Sequence, residues 1–357
     1  MDTVTLIAQN TQPQIVIAGV DTHADTHVVA VLSLAGQLLD SARFPADRAG
    51  YHALTAFVAS FGVIDRIGVE TTGAYGAGLT RHLREVGIEV REVDIPHPHR
   101  RARSGKNDFI DAEEAARKVL AGIATTIPKD TTGPIEAIRV LKVARDGAVK
   151  ARTAALQQGR DLLVTAPAEI RESITGKGLA TRLRQFRDTR PDPSRIHEPA
   201  VAVTTALRTL ARRVADLDAE IGELDRQIDT LTLQHAPTLR TLPQVGPQAA
   251  AQLLITAGTI QNRIRNEAAL ARLTGVAPVP IASGKTHRHR LHRGGDRQAN
   301  RTIHLIAVGR LRNDPRSRDY RERRTQEGLS KKDIIRCLKR YLCREIYQAL
   351  KTDLNWT

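Results

Sequence analysis

The chain has 357 residues, 41% of them apolar, enough for two or three domains with ordinary cores. Its formal charge of +15 is concentrated at one end: residues 251–357 hold 23 Lys and Arg against 9 Asp and Glu, a balance that points to a polyanion and above all to nucleic acid. No uncharged run reaches spanning length, "MDTVTLIAQNTQPQ" lacks the basic and apolar segments of a signal peptide, and Cys337 and Cys343 are too few for a disulfide framework, so a cytoplasmic protein with no membrane contact is expected. With aromatic residues at 3%, base stacking is set aside in favour of Arg and Lys contacts to the phosphate backbone.

Residues 1–13 read as a disordered leader. "QIVIAGV" (14–20) predicts a buried strand ending at Asp21, and "HVVAVLSL" and "LLDSARF" continue as a meander. "RAGYHALTAFVASF" has helical spacing, "RIGVETTG" is a strand ending near Glu70, and Gly73, Gly76 and Gly78 open the helix "LTRHLREVG". "EVREVDI" is a fifth strand, closed by "PHPH", and a helix follows from about Asn107. Three strands, helix, strand, helix, strand, helix is the order of an RNase H-like α/β layer, expected over 14–130.

Residues 131–236 read as a helical, coiled-coil oligomerisation region. Leu207, Leu210, Val214, Leu217, Ile221, Leu224, Ile228 and Leu231 alternate steps of three and four, a heptad seam that predicts self-association. The competing reading is an amphipathic helix packed on its own domain. "RDTRPDPSRIHEP" (187–199) reads as a linker or loop insertion. A basic, mainly α-helical domain is expected over 237–357. Its "LRTLPQVGPQAAAQLLITAG" (239–258) has the turn chemistry of a helix-hairpin-helix, with Gly246 where backbone N–H groups can meet a phosphate. Next come a Pro/Gly-broken loop rich in Arg and His, a helix, and a long basic amphipathic helix ending the chain.

Four carboxylates then line up: Asp21 and Glu70 at the ends of the first and fourth strands, Asp108 and Asp111 three residues apart on the closing helix. In an RNase H-like layer all four converge, and such hard oxygen ligands suit Mg²⁺ or Mn²⁺. Each has a plainer reading as well, since strand-end carboxylates are commonly solvated and Asp108 could cap its helix. His23, Asp25 and His27 read as part of the turn "THADTH" and Asp94 as a spare acid, all outside the expected site.

"GVDTHADTHVVAVL", "GVETTGAYG" and "KNDFIDAEEAARKVLAG" resemble the DEDD transposases of insertion sequences, the family that includes Piv-type DNA invertases. "LPQVGPQAAAQLL" and "LARLTGVAPVPIASGKTHRHRLHRGGDRQANRTIHLIA" resemble that family's C-terminal transposase domain. The resemblance implies that Asp21, Glu70, Asp108 and Asp111 form the metal-binding tetrad of a RuvC-like domain and that Ser283 is a nucleophilic serine. It also implies dimers pairing into tetramers on DNA, and a structured bridge RNA that selects donor and target DNA. The residues alone would make Ser283 a turn residue. Lys285, Arg288, Arg290 and Arg293 around it, with Arg297 and Arg301 beyond, could neutralise phosphate. His287, His289 and His292 fit phosphate contact better than zinc, because no nearby cysteine completes a tetrahedral set.

The expectation is a recombinase that cuts and rejoins DNA strands with a composite metal and serine centre. Its rivals are a metal-dependent junction nuclease using water and a non-enzymatic basic nucleic-acid-binding protein. A tyrosine recombinase using Tyr320, Tyr341 or Tyr347 would leave the acids without a role. The length of the heptad helix suggests that serine and acids meet in trans, from different chains.

Overall fold

The structure, a computed structural model, describes residues 14–94, 107–175, 177–258, 264–283, 286–292 and 294–356. The leader at 1–13 therefore lies outside the described residues. The chain divides into two compact units, residues 1–131 and 132–357.

In the first unit, β1 (Ile15–Thr22), β2 (Thr26–Ser33) and β3 (Leu38–Pro45) form an antiparallel meander. Helix α1 (Arg48–Ala59) leads to β4 (Val63–Glu70), α2 (Ala77–Glu85) leads to β5 (Glu89–Val93), and α3 (Asp108–Leu120) comes last. The sheet order is β3-β2-β1-β4-β5, with β4 parallel to both β1 and β5. This mixed sheet has the expected element order and is compatible with an RNase H-like layer.

Strand alternation sorts the side chains onto two faces. Val16, Ala18 and Val20 of β1 and Ile67 and Val69 of β4 pack with Leu54 and Val58 of α1 and Leu79 and Leu83 of α2. The intervening residues face α3, where Ile17 meets Ala115 and Val119, and Val28 and Ala30 meet Ala112. The helix sits unusually close because Gly19 lies under it. A Cβ built there would stand 2.1 Å from the Ala116 nitrogen and 2.4 Å from the Ala112 oxygen. Small residues on both surfaces, Gly19 below and Ala112, Ala115 and Ala116 above, let backbone approach backbone.

The second unit is mostly helical. A 33-residue α4 (Gly133–Thr165) and a 37-residue α7 (Pro199–His235) pack on each other, with the short α5 (Ala168–Glu172), α6 (Leu179–Arg184) and a 3₁₀ turn (Pro193–Arg195) between them in sequence. The ion pairs Arg145–Asp225 (2.9 Å) and Arg152–Asp218 (2.5 Å) show that the two helices run antiparallel. The chain continues through α8 (Pro237–Thr241), α9 (Pro247–Ala257) and α10 (Glu267–Leu273) to β6 (Pro278–Ser283) and β7 (Thr286–Leu291). It ends in α11 (Arg297–Asn313), α12 (Pro315–Gln326) and α13 (Lys331–Asp353).

Three expectations change here. Part of the heptad seam is filled by the chain itself: Leu207, Leu210 and Val214 pack with Leu163, Leu183 and Phe186, and Ile228 packs with Ile138 and the C-terminal helices. Leu217, Ile221, Leu224 and Leu231 are half-buried. A 3.5-residue apolar repeat specifies a helical partner and does not say which chain supplies it. The boundary expected at 236/237 does not separate two cores, since Ile138, Ile228, Ala236 and Leu239 share one cluster with Leu253, Ile303 and Leu342. The chain runs out along α4 and returns along α7, which brings Ile138 and Ile228 into the C-terminal core. The loop expected around Ser283 is in fact a two-stranded ribbon with Ser283 paired to Thr286.

Gly19→Ala should destabilise the first unit by about 3 kcal/mol, the overpacking cost of a methyl driven into helix backbone. Gly73→Ala, with nothing within 4 Å of its built Cβ, should be near neutral in the same denaturant titration. Leu207→Ala, fully buried between the long helices, should cost about 3 kcal/mol, against about 1 kcal/mol for half-buried Leu217→Ala. With the protein diluted to the monomer, equal losses at the two positions would contradict the packing of Leu207 within the chain.

Candidate metal centre

Asp21 and Glu70 each follow the paired residues Val20 and Val69, so they end adjacent parallel strands at the same edge of the sheet. By alternation both belong to the face covered by α3. They are buried, at 7% and 3% exposure. The backbone around them is fixed locally. The Thr22 hydroxyl donates to the Glu70 carbonyl (3.1 Å) and lies 2.6 Å from the Thr71 hydroxyl. Thr71 itself has φ 47°, a left-handed conformation that a β-branched residue seldom takes and that strained functional loops do hold. A Cβ on Gly76 would come within 2.7 Å of the Glu70 carbonyl oxygen, so the turn closes tightly over the strand end.

The helix supplies the other two acids. Asn107 is its N-cap, with the side-chain oxygen accepting from the Phe109 N–H at 3.0 Å. Asp108 is therefore not the cap, and its carboxylate is available for other contacts. Both acids lie in the first turn, where the macrodipole favours negative charge. Asp111 is buried at 9% exposure, next to Ala112 above Gly19. Glu113 turns away to pair with Arg117 at 2.8 Å.

Asp21 and Asp108 are brought together around His23. The imidazole Nδ1 stands 3.6 Å from Asp21 Oδ2, and Nε2 stands 3.8 Å from Asp108 Oδ1. Ligand atoms of these three residues all lie within 4.8 Å of one another, close enough for one cation to reach them together. Arg43 takes the other Asp108 oxygen at 2.9 Å and stacks over Phe109. The donor set is thus carboxylate-rich, with one imidazole, and it fits a small divalent ion such as Mg²⁺ or Mn²⁺. Sequence reading passed over His23 as a turn residue, and it does sit in the turn, with its N–H donating to the Thr26 carbonyl at 3.0 Å. The available signal was a ligating side chain two residues beyond a strand-end carboxylate.

His27 is fully buried, its ring stacked on Tyr51, and burial pushes its pKa below the usual range. Asp94 is exposed at the end of β5.

The residues expected to meet nucleic acid lie in the second unit. Gly246 precedes α9 as its N-cap, after a turn in which Gln244 has φ 67°. Asp225 already stands at that helix start, accepting from the Gln248 side chain at 2.7 Å. By register Ser283 shares one face of the ribbon with Arg288 and Arg290, and His287 and His289 fall on the other. Of Ser283 and Arg288 the backbone alone is described, and Lys285 and Arg293 lie outside the described residues. His292 has Nδ1 2.8 Å from the Gly294 carbonyl oxygen. Arg297 and Arg301 are exposed on α11.

Of the tyrosines, the Tyr347 hydroxyl donates to the Arg265 carbonyl at 3.2 Å, burial pushes the Tyr320 phenol up to about 12, and Tyr341 is exposed. Burial also pushes the Cys343 thiol up to about 11. Among the described residues no helix is long and apolar enough to cross a membrane.

Two family models match the chain. One, a DEDD transposase of IS110 type described as "Transposase", matches residues 18–166, and the other, described as "Transposase IS116/IS110/IS902 family", matches residues 236–322. The chain is 30% identical over 150 residues to the insertion element IS900 uncharacterized 42 kDa protein of Mycobacterium paratuberculosis, covering 41% of this chain and 38% of that protein. It is 34% identical over 123 residues to the insertion element IS110 uncharacterized 43.6 kDa protein of Streptomyces coelicolor, covering 34% of this chain and 30% of that one. The matched stretch spans well under half the length of either curated relative.

Asp21→Asn preserves shape and removes charge, so it should weaken Mn²⁺ binding by at least about tenfold in calorimetric titration while the unfolding midpoint without metal is retained or raised. Asp108→Asn should weaken binding likewise. Undiminished Mn²⁺ affinity in both variants would remove the cluster from consideration as the metal centre.

Proposed function

Because this chain belongs to the IS110 family of DEDD transposases, we propose that it is the recombinase of an insertion sequence, cutting and rejoining DNA strands. The observation that carries the reading is the convergence of Asp21 and Asp108 on one point at the end of β1, within a sheet of RNase H-like order. Asp21, Glu70, Asp108 and Asp111 would hold Mg²⁺ or Mn²⁺, with His23 as a further donor. When bound, the cation supplies Lewis-acid polarisation of a scissile phosphate and neutralises charge developing on it.

The remaining chemistry belongs to side chains. The Ser283 hydroxyl attacks phosphorus, displacing a deoxyribose oxygen and leaving a phosphoserine bond to the DNA; attack by a deoxyribose hydroxyl of another strand then restores the serine. Arg288 and Arg290, on the Ser283 face of the ribbon, neutralise the phosphate. Gly246, Lys285, Arg293, Arg297 and Arg301 extend the contact along the backbone. A structured bridge RNA selects donor and target DNA, a role that the family resemblance implies; the many cations of the basic third fit any polynucleotide backbone. The protein assembles as dimers that pair into tetramers on DNA, with the half-buried Leu217 and Leu224 of the seam as interface residues.

The test is a covalent protein–DNA adduct. Wild-type protein with its element's DNA ends and co-purifying RNA should yield a phosphoserine-linked adduct in Mg²⁺, and Ser283→Ala and Asp21→Asn should each abolish it. Cleavage without any adduct would instead support the water-dependent nuclease. Adduct formed by a mixture of the two inactive variants would show that serine and acids come from different chains.

A further inference from the structure

In the second unit, the first turns of α11 and the facing side of α13 border an open cavity of about 640 Å³. Its walls carry Arg297 and Arg301 from α11 and Lys332, Arg336 and Lys339 from α13, with Ile335 as an apolar patch between them. One acid, Asp296, also borders it, but that carboxylate is committed elsewhere. Its Oδ1 accepts from the Gln298 and Ala299 N–H groups as the cap of α11, and its Oδ2 accepts from the Thr256 hydroxyl at 2.6 Å.

Lys339 is the unusual member. It is only 6% exposed, and its ammonium donates to Asn300 Oδ1 at 2.6 Å. Asn300 is held in that orientation by its amide, which donates to the carbonyls of Thr274 and Gly275, both at 2.9 Å. Among the described residues no carboxylate lies within ion-pairing distance of Lys339, Arg297, Arg301 or Lys332, and Arg336 pairs with exposed Asp333 at 2.9 Å. An ammonium has three protons to donate, and a neutral amide compensates its charge poorly. Burial accordingly pushes the Lys339 pKa below its usual range. A buried cation ringed by further cations is costly to the free protein, and an anion in the cavity removes that cost.

The anion is best matched by phosphate. Guanidinium forks fit phosphate oxygens two at a time, and lysine contributes a point charge. The volume exceeds that of one phosphate and leaves room for the attached sugar, against which Ile335 can pack. We infer that this cavity is a phosphate-binding subsite that takes a phosphoryl group of a polynucleotide, with Lys339 at its base and Arg297, Arg301, Lys332 and Arg336 around its mouth. The polymer's identity rests on the proposed function; the binding of phosphate does not.

The test uses the full chain carrying Ser283→Ala, so that no strand chemistry intervenes. Inorganic phosphate, added at constant ionic strength against chloride, should raise the unfolding midpoint saturably. Lys339→Met should be at least as stable as its parent without phosphate, because it removes an uncompensated buried charge, and should lose the phosphate response. Arg301→Gln, at an exposed position, should reduce that response without unfolding the protein. A short single-stranded oligonucleotide should bind about tenfold more weakly to Lys339→Met, with its log–log salt slope reduced by about one. Comparing 5′-phosphoryl and 5′-hydroxyl forms of that oligonucleotide separates the sources: equal affinities assign an internal diester, and tighter binding of the phosphoryl form assigns a strand end. A phosphate response that is absent from the parent or that survives in Lys339→Met overturns the subsite, as does a Lys339→Met protein destabilised without phosphate. Oligonucleotide binding indifferent to Lys339→Met overturns the assignment to a polynucleotide.

Discussion

The contact between α3 and β1 is the constraint on which the acidic cluster depends. Helix backbone rests on strand backbone at Gly19, and any side chain there would lift the helix. Two residues further along the same face of β1 is Asp21, and one residue before Ala112 in the helix is Asp111. The contact therefore fixes, within a few bonds, the height of the helical acids above the strand acids. Glu70 follows from the parallel pairing of β1 with β4, and the Asn107 cap fixes where the helix begins. Local choices of residue, each explicable by itself, thus agree on one arrangement.

Electrostatics explains why the arrangement tolerates its own repulsion. Asp108 lies between His23 and Arg43, and the positive end of α3 lies beside both of its first-turn acids. These contacts soften the burial of several carboxylates together. They also leave Asp108 Oδ1 and Asp21 Oδ2 turned toward a common point, an arrangement suited to holding a small cation and of little use to packing. The basic second unit is built on the opposite sign, and buried Lys339 shows it carried into the interior. Under the proposed function, acidic centre and basic surface would divide the work, the acids holding the cation and the arginines and lysines the polymer.

Much of the first unit was legible in the sequence, because "QIVIAGV" and "HVVAVL" are buried on both faces and can only be central strands. Asp21 and Glu70 could be placed at strand ends for the same reason. Asn107 and Asp108 are both capping residue types, so spacing leaves two roles open for Asp108, and the hydrogen bond from the Phe109 N–H to the Asn107 side chain decides between them. His23 was hidden by its turn, since sequence spacing does not say which way a turn residue points. The ribbon at Ser283 was hidden by composition: "PVPIAS" and "THRHRL" alternate as strands do but carry proline, histidine and arginine where β-branched residues would announce a strand. The heptad seam gave the helix and its apolar stripe, but a stripe is equally satisfied by α4 of the same chain and by a second chain.

The central claim is that the acids at the end of β1 and the start of α3 form a divalent-metal centre. Crystals soaked in Mn²⁺ and measured for anomalous scattering test it most directly. The account predicts a strong peak about 2.2 Å from carboxylate oxygens of Asp21 and Asp108, on the α3 face of the sheet. A clean map with Mn²⁺ bound elsewhere and none between these residues would contradict it.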